Sequence, residues 1–566
     1  MAKTGDKGPS DDNDSPGKRA APDGANRREL LGGLGLGLAG VAAGLPSQGL
    51  AKGARPGASA RVTDAQLQRH IQNVVVIYAE NRSFNNLFAD FPGLEQPVKS
   101  LPPERYLQRD RDGSVLSVLP KIWGGLVKDA QTVNHQNYLI GEADITGLPN
   151  RPFALSTPAG DPLPQGVVTR DLVHAFYQNQ KQINGGKNDG FVAWGDTGAM
   201  VMGYYADNQV NLRLWKIARE YTLCDNFFMG AFGSSFLNHQ YLVAATAPYY
   251  PHADESVAKS RIAVVDGDPK GIGLTPVPDM KPSALDGPAR FGGGALTPDF
   301  YAVNTMSPPY APSSSRDPAN LAFADPNHSS TLPPQTHGTI GDRLSEKGIE
   351  WAWYSGGWNT ALTRAAEATD PFPSRPNFQS HHQPFNYFAR FAPGTPDRDR
   401  HLRDAGTDET SRTNHFLKAI EDGMLPAVAY YKPQGNLNMH AGYSDVDSGD
   451  RHIATVIDAL QNGPQWKNMM IVITFDENGG WWDHVAPPKG DRWGPGTRVP
   501  AIVVSPFAKR GHVEHTTYDT GSIARFLRRR FGLADLPGLK EREDAMLANA
   551  GLRPGDLTET LVFEPS

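Results

Sequence analysis

MMIVITFDENGGWWDH, residues 469–484, is the stretch from which the rest of the chain can be read. Its first half, Met469 to Phe475, is an unbroken apolar run rich in β-branched residues and closed by a polar turn. Such a run reads as a buried strand, although periodicity alone does not separate it from a buried helical segment. Asp476 and Glu477 follow at once, then Gly479-Gly480, two tryptophans and Asp483-His484. Open α/β sheets carry their sites beyond the carboxyl ends of strands. Buried carboxylates are normally paired or bound to a metal. Asp, Glu and His all ligate metals, and paired glycines let backbone approach a bound group. A solvated turn after a strand is the plain alternative, and partners elsewhere in the chain decide between the two.

The first partner lies near the start of the folded body, in HIQNVVVIYAENRSFNNLFADFPG. Asn73–Ala79 is a second apolar β run, and its first polar residues are again oxygen donors, Glu80 and Asn81. A helix-capping pair is the plain reading of those two. Two neighbouring strands ending this way would instead hold one divalent ion between Glu80, Asn81, Asp476 and Glu477.

With 566 residues the chain can bury a large core. Its 39% apolar and 20% charged residues mark it as globular. A net charge of −6 gives no footprint for nucleic acid or an anionic membrane. The 59 glycines and 47 prolines imply much ordered loop. The lone cysteine, Cys224, excludes an internal disulfide and reads as a packed small hydrophobe.

Residues 1–60 read as a leader. A polar stretch to residue 26 precedes Arg27-Arg28 and the short glycine-rich apolar run GGLGLGLAGVAAGL. That run is too short and weak to span a membrane. Twin arginines, a modest apolar region and a small-residue cleavage site make a twin-arginine export signal. Gly49-Leu50-Ala51 and Ala58-Ser59-Ala60 both offer such a site. The export machinery is thus an expected partner, and the periplasm or the exterior the expected location. Residues 61–566 are read as a single catalytic domain.

ENRSF after a hydrophobic strand, with DENGGWWDHVAPP near the C-terminus, resembles the bacterial phosphoesterase family of phospholipases C and secreted acid phosphatases, within the alkaline phosphatase-like superfamily. The resemblance implies an α/β/α sandwich around a mostly parallel sheet. It also implies roles for residues that local chemistry leaves ambiguous. In DLVHAFYQNQKQINGGKNDGF, His174 matches a histidine of the family's phosphate pocket, while Asn188 stands where the family usually has Met. In NFQSHHQPFNYF, one of His381 and His382 would meet phosphate, with His382 preferred. His440 matches a further pocket histidine, and His337 and His515 are weaker candidates.

In CDNFFMGAFGSSFLNHQYLVAA, Ser235 opens a helical run after a small-residue turn. A serine there is commonly an ordinary N-cap. It is also well placed as a nucleophile, because free N–H groups and the positive helix end favour an anion. Phospholipases of the family have Thr in G-x-T-x-P-N-R, whereas its acid phosphatases have Ser in SFLNHQ, as here. Ser235 is therefore the expected nucleophile, with Ser234 as the alternative.

The remaining chain alternates helix and strand. Residues 248–335, rich in Pro, Gly and Ser, read as an insertion or lid. THGTIGDRLSEKG predicts a helix ending at Gly348, followed by the strand IEWAWYS. Asp450-Arg451-His452 is expected to open a helix, and Ala501–Ser505 to form a strand before a closing helix.

The resemblance implies hydrolysis of phosphate monoesters through a phosphoserine. Ser235, Glu80, Asn81, Asp476 and Glu477 would hold one divalent ion, with Asp483 and His484 standing behind them. Asn81, His174, His382 and His440 would hold the phosphoryl oxygens, with His381 and His337 as further substrate contacts. An all-oxygen ligand set favours Mg or Ca, although the superfamily often uses Zn. Phospholipase C-type cleavage of phosphodiesters is the alternative, and a non-catalytic binding protein a remoter one.

Overall fold

A computed structural model of the chain describes residues 62–206, 211–407 and 413–563. The leader expected in residues 1–60, with Arg27 and Arg28, lies outside the described residues.

Eight strands form the central sheet. In chain order they are β1 (Asn73–Ala79), β2 (Thr222–Cys224), β3 (Trp351–Gly356), β4 (Leu402–Gly406), β5 (Val428–Lys432), β6 (Met469–Phe475), β7 (Ala501–Val504) and β8 (His512–Glu514). Across the sheet they run β8-β2-β7-β6-β1-β5-β3-β4. Only β7 is antiparallel to its neighbours. The expected α/β class with a mostly parallel sheet is what is found.

Every residue of β1, β5 and β6 is buried. Strands covered on both faces have no polar side, which is why they read as continuous apolar runs rather than alternating ones. β1 and β6 have the bounds expected from the sequence. They pair in parallel with Ala79 opposite Phe475, so Glu80-Asn81 and Asp476-Glu477 leave the sheet side by side. β5 flanks β1 on the other side and ends at Lys432.

Helix α1 (Ser235–Ala244) starts at the expected serine and is buried throughout. The helix expected to open at Asp450 is longer: α2 spans Val446–Asn462, capped by Asp445, whose carboxylate accepts from the Ser448 N–H. A carboxylate cap three residues ahead of that N–H sets the start earlier than the apolar pattern alone does. Gly348 ends the Ile340–Glu346 helix and its connection with φ +66°, as its place in the sequence implies. Residues 248–335 contain two short 3₁₀ turns and a series of isolated bridges, such as Tyr249 with Tyr301 and Ser307 with Thr331. Cys224 is fully buried, and burial pushes its thiol pKa up, in keeping with a packing role. Among the described residues no helix is long and apolar enough to cross a membrane.

Candidate active site

The two strand ends interlock. Asn81 takes a left-handed conformation (φ +57°), which Asn tolerates better than most residues. Its N–H donates to Asp476 Oδ1 at 3.2 Å, and its side-chain amide donates to Glu477 Oε1 at 2.7 Å. Glu80, Asn81, Asp476 and Glu477 are all fully buried.

α1 brings the nucleophile to this group. The Ser235 hydroxyl donates toward Glu477 Oε1 at 3.2 Å and lies 3.3 Å from Asn81 Oδ1. The turn before it requires glycine at 233, because φ is +53° and a Cβ would lie 2.4 Å from the Ala175 carbonyl carbon. Ser234 N–H donates to the carbonyl of His174 at 2.5 Å, tying the two loops together. The Asn238 side chain staples the turn by donating to Ala231 and Gly233 carbonyls.

The histidines differ in environment. His174 Nδ1 bonds the Leu172 carbonyl at 2.6 Å, which leaves Nε2 toward Glu477 at 3.6 Å. Burial opposes its charged form, but the Glu477 and Asp171 carboxylates outweigh that and raise its pKa to about 9. His440 stands edge-on to His174 and stacks on Tyr443 at 4.2 Å. Burial pushes His440 down. The pKa values of two neighbouring rings are thus pushed in opposite directions, the separation that acid–base chemistry uses.

Glu80 sits among donors. Its Oε1 lies 2.7 Å from both Lys432 Nζ and His382 Nε2, and its Oε2 accepts from the Tyr443 hydroxyl at 3.0 Å. Burial opposes its ionised form, yet Lys432 and His382 hold its pKa well below the usual carboxylate range. Asp476 is pushed up by burial and by the Glu80 charge. Burial likewise raises Glu477, to about 7, against the opposing charge of His174.

This donor set fits a divalent cation. Asp476 Oδ2 is buried yet accepts no hydrogen bond among the described residues, a costly state that a cation would relieve. Asn81 Oδ1 and Glu477 Oε1 both lie within 3.3 Å of Ser235 Oγ, and Asn81 also donates its N–H to Asp476 Oδ1. Ser235, His174, His381 and His440 then open onto a cavity of about 900 Å³. The cavity is also lined by Lys128, Asp129 and Gln131 of the Val127–Val133 strand and by Asn304-Thr305 of the 248–335 segment.

A family model described as the phosphoesterase family matches residues 71–534. The chain belongs to the phosphoesterase family. It is a hydrolase of phosphoric ester bonds, and the non-catalytic alternative falls away. Among relatives, phospholipase C B of Mycobacterium tuberculosis is 22% identical over 525 residues, covering 87% of this chain and 78% of that protein. The non-hemolytic phospholipase C of Pseudomonas aeruginosa is 27% identical over 257 residues, 40% of this chain and 33% of that one. Among solved structures, a protein in the alkaline phosphatase superfamily from Vibrio parahaemolyticus is 11% identical, with 61% of this chain and 71% of that one covered and a TM-score of 0.24.

Within this phosphoesterase, Glu80, Asn81, Ser235, Asp476, Glu477, His174 and His440 are brought together. The order of the paired histidines is reversed from expectation. His381 lines the cavity, whereas His382 is fully buried behind Glu80, its pKa driven by burial to about 3 against the carboxylate's pull. A short 3₁₀ turn over Ser380–His382 sends the two rings in different directions, and their planes cross at 90°. His337 packs edge-on against Phe388, and His515 pairs with Asp225 at 2.9 Å; neither lines the cavity.

Asp483 and His484 brace the partner loop. Asp483 accepts from Arg498 Nε at 3.1 Å and from the Asn85 N–H at 3.0 Å, and His484 Nδ1 lies 3.1 Å from Asn85 Oδ1. Asn188 has φ +54°, a conformation that suits Asn better than the family's usual Met, and its carbonyl accepts from the Trp482 indole. Sequence reasoning missed Lys432, Tyr443 and His239. The available signal for Lys432 was a lysine closing a buried apolar strand. His239 lies one helical turn beyond Ser235 and 3.7 Å from Asp476 Oδ2.

Proposed function

We propose that the chain cleaves phosphoesters by passing the phosphoryl group to Ser235 and then to water. The observation that carries this reading is the Ser235 hydroxyl, at the start of α1, within 3.3 Å of both Asn81 and Glu477 and facing a cavity shared with His174, His381 and His440. The helix N-terminus favours the anionic group there. Ser235 Oγ attacks phosphorus, and Glu477 is the nearest base for its proton. The bond to the leaving oxygen breaks as that oxygen takes a proton from His174, the ring held protonated at neutral pH. Water, deprotonated by the same imidazole, then attacks the phosphoserine, and the P–O bond to Ser235 breaks as its oxygen recovers the proton from Glu477. His440, His381 and the Asn81 amide offset charge on the phosphoryl oxygens. A divalent ion, which Glu80, Asn81, Asp476 and Glu477 would hold together with Ser235, would make the serine hydroxyl more acidic and add charge neutralisation.

Phospholipase C-type cleavage of a phosphodiester is the substrate reading that the relatives support. The M. tuberculosis phospholipase C B aligns over 87% of this chain. A cavity of about 900 Å³ also accommodates far more than a phosphate group. Monoester hydrolysis keeps one specific support, the nucleophile's setting in SFLNHQ. Rates on p-nitrophenylphosphorylcholine and p-nitrophenyl phosphate separate the two. Strong preference for the diester supports the first reading, preference for the monoester the second, and hydrolysis of neither overturns the proposal. Arg27-Arg28 supports export to the periplasm or beyond, which fractionation of cells expressing the full chain tests.

A further inference from the structure

Lys432 has a role that neither the nucleophile nor the phosphate pocket explains. It is the last residue of β5, fully buried, with its Nζ 2.7 Å from Glu80 Oε1. Burying an ammonium is costly unless it is paired, so its presence behind the reaction centre calls for a reason. The surroundings supply one. Glu80, Asp476 and His239 are all buried, and one ligand atom from each lies within 4.8 Å of the others, an arrangement that could by itself seat a cation. The lysine charge already acts on all three: it stabilises ionised Glu80, opposes the rise at Asp476 and disfavours protonation of His239.

We propose that Lys432 is a fixed cation standing where a second metal ion would otherwise sit between Glu80, His239 and Asp476, so that the site holds one divalent ion. The inference rests on the reading of Glu80, Asn81, Asp476 and Glu477 as ligands. Charge supports it. Against three carboxylates the site already sets the Lys432 ammonium, the protonated His174 ring and one divalent ion, so a second divalent ion would add two positive charges with no carboxylate to offset them. Lys432 is thus a positioning residue. It acts through Glu80, holding one carboxylate oxygen while the Tyr443 hydroxyl holds the other.

The test is the number of ions bound per chain. The full chain is loaded separately with Zn²⁺ and Mn²⁺, freed of excess ion by gel filtration, and assayed for metal by mass spectrometry. Wild type and Lys432→Arg bind one ion, Lys432→Met binds two, and Lys432→Met/His239→Gln returns to one. Two ions in wild type, or one in a folded Lys432→Met protein, overturn the proposal. Should Lys432→Met fail to fold, wild type and His239→Gln decide. One ion in both upholds the proposal, because His239 is no ligand while the lysine is present, and fewer ions in His239→Gln than in wild type overturns it. A wild type that binds no ion overturns the ligand reading and the lysine's role with it, an outcome distinct from binding two.

Discussion

The hydroxyl of Ser235 lies 3.2 Å from the carboxylate of Glu477, although the two residues are 242 positions apart in the chain. One comes from the first turn of a helix and the other from a strand end, so the rigid sheet and the Gly233 turn jointly set their separation. Pre-organisation of this kind is what makes a weak nucleophile competent. His174 closes the group from the opposite loop, 3.6 Å from the same carboxylate oxygen.

Replacing His174 with Gln should therefore slow turnover about 10²- to 10⁴-fold, the usual contribution of a positioned proton donor. The fall should be smaller for an ester whose leaving group needs no proton. Equal losses on p-nitrophenyl and alkyl phosphoesters would refute the donor role.

Removal of the divalent ion by a chelator should abolish activity and also lower the unfolding temperature, because the buried Asp476 and Glu477 carboxylates lose their counter-charge. Metal restored at 100 times its Kd should return about 2.7 kcal/mol of stability. Thermal unfolding measured with and without added ion checks this independently of turnover.

Arg498 and Asp483 form a fully buried pair behind the site. Arg498→Ala would leave the carboxylate without its partner, at a cost of roughly 3–5 kcal/mol. The urea midpoint should fall while the slope of the transition stays the same. Activity should fall too, because Asp483 and Arg498 both hold Asn85, four residues from Asn81.

Acid lability should arise partly from His452. Burial, aided by the Arg451 charge, pushes its pKa down to about 4, and its Nε2 bonds the Tyr431 hydroxyl at 2.6 Å. The unfolded ring titrates near 6.5. As pH falls from about 6.5 to about 4, the unfolded chain therefore takes up a proton that the folded chain refuses. Stability is full above that window, declines through it, and is flat below, for a loss on the order of 3 kcal/mol. His452→Gln should lose this part of the pH dependence in urea titrations at pH 7 and 4.5.

Much of this architecture was legible because parallel strands covered on both faces write themselves as apolar runs. β1 and β6 could be bounded to the residue, and the carboxylates at their ends followed. Ser235 was legible through its turn and through SFLNHQ. The order of His381 and His382 was not, because a 3₁₀ turn of three residues decides which ring faces the cavity, and neighbouring histidines carry no periodicity. Lys432 was hidden for a different reason. A lysine closing a strand ordinarily marks the return to solvent, and only the lateral neighbour β1, distant in sequence, shows that it meets Glu80 instead.

The central claim is that Ser235 accepts the phosphoryl group, and rapid acid quench during turnover of p-nitrophenyl phosphate or p-nitrophenylphosphorylcholine tests it most directly. Peptide mapping by mass spectrometry should find the transferred group on Ser235 and on no other residue. Phosphate on Ser234 or on a histidine, or undiminished turnover by Ser235→Ala, would contradict it.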